Sequence, residues 1–73
     1  MGKDIRTQIA YTVCCINAFA ERYGLTAKQA FRYLKLHDGL GFLDECYEAE
    51  HQLSISDAVS DLAQVCRNNG GKL

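Results

Sequence analysis

Proline is absent from the 73 residues. A chain without it suits long helices joined by short turns. No apolar run approaches the roughly 20 residues that a membrane-spanning helix needs. No secretory leader is expected, because Met1-Gly2-Lys3-Asp4 leads into an amphipathic stretch without a cleavage site. Met1-Gly2 begins like a myristoylation signal, but Arg6 occupies the position where Ser or Thr is required. Paired metal-ligand spacings are lacking too, and adjacent Cys14-Cys15 is poor geometry for two ligands of one ion. With two histidines and no arrayed nucleophile, there is no catalytic signature. The expectation is a cytoplasmic, non-enzymatic protein that takes no metal or cofactor. Its four cysteines, Cys14, Cys15, Cys46 and Cys66, are expected to be reduced, because three of them fall on or beside apolar helix faces.

What is present is a strong helical pattern. Ten of the twelve residues from Ile9 to Ala20 are apolar. Ile5, Ile9, Val13, Ile16, Ala20 and Tyr23 recur at steps of three and four, which marks one face of a helix over 4–23 and predicts that this face is the core side. Tyr11, Cys14, Cys15 and Ala18 form a second stripe on roughly the opposite side. Gly24 ends the helix as a left-handed cap. Thr26 with Gln29 then opens a second helix over 27–37 through a capping box, with Leu25 able to staple onto Ala30. Its buried face is expected to be Ala27, Ala30, Phe31 and Leu34, with Phe31 deep between the first two helices. Lys28, Arg32 and Lys35 point outward.

The run His37-Asp38-Gly39-Leu40-Gly41 reads as a tight turn whose glycines supply unusual backbone angles. His37 ends its helix near the negative end of the dipole. A third helix over 41–51 has an apolar face of Phe42, Leu43, Cys46 and Tyr47 and an acidic face of Asp44, Glu45 and Glu48. Ser54 with Asp57 repeats the start signal, and Leu53 can staple onto Ala58. A fourth helix over 55–68 buries Ile55, Ala58, Val59, Leu62 and Cys66 and stops at Asn68-Asn69-Gly70-Gly71. The two matching starts obey the same capping physics; one near-repeat does not establish an internal duplication. The sum is a single all-α domain, a compact bundle of four helices. A chain of this length buries only about 60% of its unfolded surface.

Charge is divided. Residues 1–37 hold six basic and two acidic side chains, net +4; residues 38–73 hold two and seven, net −5. Such a dipolar chain can pair its halves internally or head to tail between copies. The second helix, glycine turn and third helix have lengths near those of a helix-turn-helix, so a small transcriptional regulator is one alternative. The third helix would then carry Asp44, Glu45 and Glu48 towards phosphates, which argues against nucleic acid as a partner. Glu50 projects among apolar residues and is followed by His51. It can reach water at the helix end, form a buried structural pair, or serve a ligand-binding or enzymatic site as acid or base.

Three helices with short apolar faces leave Tyr11, Cys14, Cys15 and Ala18 without enough partners, together with Tyr33 and Leu36 on the second helix. These six are the candidate interface of a homodimer, or of a complex with another protein. The stretches F-L-D-E-C-Y-E-A-E-H-Q-L-S and D-A-V-S-D-L, with the earlier C-C-I-N-A-F-A and G-L-T-A-K-Q-A-F-R-Y-L, resemble a family of short bacterial helical proteins classed as a domain of unknown function. The resemblance covers about residues 9–69. It carries no catalytic residues. It implies a small cytoplasmic interaction module; some members are encoded near ADP-ribosyltransferase-like toxin genes, which suggests an antitoxin or accessory role.

Overall fold

The computed structural model describes residues 5–73, and they form helices with no strand: α1 (Ile5–Tyr23), α2 (Ala27–Leu36), α3 (Gly39–Glu45), α4 (Tyr47–Glu50) and α5 (Ile55–Asn68). The expected start of the first helix at residue 4 lies outside the described residues. Local chemistry sets the boundaries as expected. Gly24 takes φ +67 after α1. Thr26 Oγ1 accepts the Gln29 amide at 3.0 Å while Gln29 Oε1 accepts the Thr26 amide at 2.9 Å. Ser54 Oγ accepts the Asp57 amide at 3.1 Å to open α5.

The third expected helix is in fact two. The backbone leaves helical geometry at Cys46 (φ −106, ψ 20), and a separate turn of helix follows. The turn before it also differs from expectation. Asp38, not a glycine, takes the left-handed conformation (φ 65), and Gly39 and Gly41 lie inside α3. Gly39 is glycine for room. A Cβ there would stand 2.9 Å from Leu34 Cδ2 and 3.1 Å from Cys66 Sγ. Its bare Cα lets α3 close onto α2 and α5.

α1 packs against α2 and α5, and α3 packs against the same two helices. The core between them holds Cys15, Phe19, Ala20, Ala30, Leu34, Leu43, Ala58, Val59, Leu62, Ala63 and Cys66. Phe19 is its largest side chain, with no exposed surface; its ring lies 4.7 Å from that of Tyr23 and 5.7 Å from that of Tyr33. Arg22 ties the end of α1 to α5, donating to Ser60 Oγ and to Ser56 O and Oγ at 2.9–3.0 Å. After α5 the chain folds back on α2: the Leu73 amide donates to Tyr33 Oη at 3.1 Å, and Arg67 Nη1 to the Leu73 carbonyl at 2.8 Å.

Only the second half of the expected α1 face turns inward: Ala20 is buried, and Ile16 and Tyr23 pack against the core. Ile5, Ile9 and Val13 are 68%, 59% and 48% exposed. Cys15 and Phe19 are buried, with Tyr11 and Ala18 packed against the core beside them. Of the face expected to be buried on α2, Ala30 and Leu34 are buried, whereas Phe31 is 44% exposed. Ala27 and Ile55 are exposed as well. Two physical reasons account for the difference. α1 has 19 residues, about 28 Å, whereas its partners α2 and α5 have 10 and 14, so they leave its first turns uncovered. The helices also approach through small side chains (Cys15, Ala18, Ala30, Ala58, Ala63), and that close approach leaves bulky isoleucines outside.

Candidate functional site

Two features of this fold carry chemistry of their own. The first is a groove along α1. Ile5, Gln8, Ile9, Thr12, Val13 and Ile16 form its floor, with Phe31 from α2 and Asp44 from α3 at its sides, and it encloses about 420 Å³. The α1–α2 turn is short, so the two helices run antiparallel, and Phe31 closes the end beyond Val13 and Ile16. Asp44 marks the other end, where its Oδ1 accepts Gln8 Nε2 at 3.0 Å. Four large apolar side chains exposed in one strip exceed the scattered apolar residues that any soluble surface carries.

The second feature is a buried polar cluster where α4 meets α1 and α5. Glu50 is only 6% exposed. Asp61 on α5 stands close enough to share a proton with it. The Oε1 atom of Glu50 and the hydroxyl of Tyr11 are both buried without a conventional hydrogen-bond partner among the described residues. Burial, reinforced by the Asp61 carboxyl, pushes the Glu50 carboxyl up to about 7. Burial likewise raises the Tyr11 phenol, with the Cys15 thiol beside it, and raises the thiols of Cys15 and Cys66. Tyr47 covers the cluster edge-on to Tyr11, at 5.6 Å between ring centroids.

The residues expected at an interface are dispersed. Cys15 has no exposed surface, and Tyr11 and Ala18 pack against the core, so three of the four residues of that α1 stripe are internal. Tyr33 is half-buried and engaged by Phe19 and by Leu73. Cys14 is exposed on α1, and Leu36 is 78% exposed at the end of α2. The six form no common surface. The helix-end position does not carry Glu50 to water: it is buried beside the half-buried Asp61. His51 goes elsewhere. Its Nδ1 lies 2.7 Å from the Tyr47 carbonyl and its ring stacks on Tyr47 at 4.6 Å, so the two neighbours do not converge on one site.

The cysteines carry free thiols in different settings: Cys15 and Cys66 are buried, Cys46 is half-buried and Cys14 is exposed. Among the described residues no three of His, Cys, Asp and Glu converge as metal ligands would. No helix among them is long and apolar enough to cross a membrane. The groove was missed because aliphatic bulk at helical spacing reads as core. The signal that could have found it is the mismatch in helix lengths, since a 19-residue helix beside a 10-residue one must project. Asp61 was missed because it lies on α5 among residues read as outward.

No curated protein and no solved structure matches the chain. Residues 10–69 match the family described as "Protein of unknown function (DUF3791)", a span that takes in all five helices apart from the first turns of α1, and the chain therefore belongs to that family.

Proposed function

We propose that the chain is a protein-interaction module: a small helical body that displays the α1 groove to another polypeptide. The exposed strip of Ile5, Ile9, Val13 and Phe31 carries this reading. A soluble chain that left such a strip bare would associate through it. We place it in the bacterial cytoplasm, where its free thiols stay reduced. We read it as a non-enzymatic accessory, of the kind that neutralises or assists the product of a neighbouring gene. That last element rests only on the toxin-gene neighbourhood that the resemblance implies.

The two alternatives draw less support. Reading DNA through α3 would press Asp44 and Glu45, both exposed, against phosphates. An enzymatic role for Glu50 and His51 lacks a shared site, because one side chain enters the core and the other stacks on Tyr47. The test is site-specific cross-linking in the host. A photoreactive side chain at Ile9 should give discrete adducts, and one at Leu36 should not. Absence of any adduct from Ile9 would defeat the interaction reading.

A further inference from the structure

We propose that the α1 groove is closed by the same groove of a second copy, the two α1 helices lying antiparallel across a two-fold axis. The inference rests on the interaction reading above and names the occupant.

The first argument is charge. Asp44 stands at one end of the groove, and Phe31 at the other. Lys28 and Lys35 precede and follow Phe31 by three and four residues, so all three share one stripe of α2, and both lysines are exposed. The groove therefore has an acidic end and a basic end. A two-fold axis through its middle lays the acidic end of each copy on the basic end of its mate, and does so twice. A parallel arrangement would oppose like charges. A foreign helix would have to bring its own matching pattern, which this chain already contains.

The second argument is spacing. Ile5, Ile9, Thr12 and Ile16 recur at steps of four, three and four, the seam of a two-stranded helix pair, with β-branched residues throughout. Phe19 and Tyr23 continue the same seam into the chain's own core. Thr12 does not spoil it. Its hydroxyl donates to the Gln8 carbonyl at 3.0 Å, so covering it strands no donor. The third argument is size. An exchanging complex at the low end of specific interfaces uses about 500 Å² from each partner. Ile5, Ile9, Val13 and Phe31, with Gln8, Thr12, Asp44 and the lysines around them, make a patch of that order.

Sedimentation equilibrium of the full chain over a wide concentration range tests the proposal. The expected result is a mass that rises from 8.1 kDa towards twice that value. Ile9→Glu should weaken association about a hundredfold or more, because the axis would then face two charges. Leu36→Glu, at a more exposed site outside the groove, should leave it unchanged. Circular dichroism should show both variants equally helical. Asp44→Lys should weaken the dimer about fivefold, as should the pair Lys28→Glu with Lys35→Glu. All three changes in one chain should restore it, since the ends are then exchanged. A monomer mass throughout would overturn the second copy as occupant, as would a dimer indifferent to Ile9→Glu. So would binding to vesicles, neutral or anionic, that replaces self-association. If the monomer persists while Ile9 cross-links to another chain in the host, the second copy is wrong and the interaction module stands. If Ile9 cross-links to nothing, both fail.

Discussion

The two sides of α1 differ in a way that composition does not reveal. One side offers Ile5, Ile9 and Val13, the kind of aliphatic stripe that fills most cores, and it faces out. The other offers Tyr11, Cys15, Ala18 and Phe19, a mixture of small, polarisable and aromatic side chains, and it faces in. Hydrophobicity alone would rank them the other way. The bundle selects the side against which its neighbours can approach closely, and Ala30, Ala58 and Ala63 supply that approach. Aliphatic bulk at helical spacing thus reports a wish for burial without naming the partner that provides it.

The sharpest way to break this comparison is a pair of truncations. Phe19→Ala should cost about 3–5 kcal/mol in urea unfolding, because Phe19 is wholly enclosed. Phe31→Ala should cost less than about 1 kcal/mol at monomer concentrations, because its ring is already 44% exposed. Equal losses would mean that the inner and outer sides have been wrongly assigned.

Close approach is tested next. Gly39→Ala should destabilise by about 1–3 kcal/mol, since its methyl would press on Leu34 and Cys66, both without exposed surface. A neutral or stabilising effect would show that α3 can retreat without loss, and the account of Gly39 as glycine for room would go with it.

The inner side also carries the buried acid. Glu50 has a folded value near 7 against an ordinary 4.5, so the folded state favours its proton. Its contribution is complete below about pH 4.5 and is lost as pH rises through 7, the reverse of a salt-bridged carboxylate. Glu50→Gln, neutral at every pH, should flatten the decline over that window. Above pH 7 it should stabilise the protein by about 1 kcal/mol. A variant whose stability tracks that of the parent across the window would show that Glu50 is not what titrates.

The smallest effect concerns adjacent residues on opposite sides. Cys14 is exposed and Cys15 is buried, with its thiol raised by that burial. Alkylation of the native protein should reach Cys14 first, Cys46 more slowly, and Cys15 and Cys66 only on unfolding. Mass spectrometry at intervals reads the order, and all four should react once denatured. Equal rates for Cys14 and Cys15 would place both on the surface.

Much of the fold was legible in the sequence because capping is local. Thr26 with Gln29, Ser54 with Asp57, and Gly24 each act within a few residues, and the boundaries of α1, α2 and α5 follow from them. The break at Cys46 was not legible, because no proline or glycine marks it and it depends on how α4 seats against the core. Nor was the role of Gly39, whose reason lies in Leu34 on α2 and Cys66 on α5. Glu50 stood out as an acid on an apolar face. Its companion Asp61 did not, since only tertiary packing brings the two together. The six residues expected to form an interface failed as a set for the same reason that the groove was overlooked: which side of α1 is covered is decided by neighbours, not by α1.

Among the described residues, half of the twelve buried apolar ones are alanine or cysteine, and this shapes how the sequence can drift over generations. At Ala20, Ala30, Ala58 and Ala63, glycine would loosen a helix by about 1 kcal/mol, and any larger residue would wedge two helices apart at a cost of about 1–3 kcal/mol. Cores of leucine and phenylalanine can trade volume between neighbours; a core of near-minimal side chains has little to trade. Neutral change is then driven to the outward faces, the groove among them. Descendants of such a chain can exchange one set of partners for another while the backbone beneath them stays as it is.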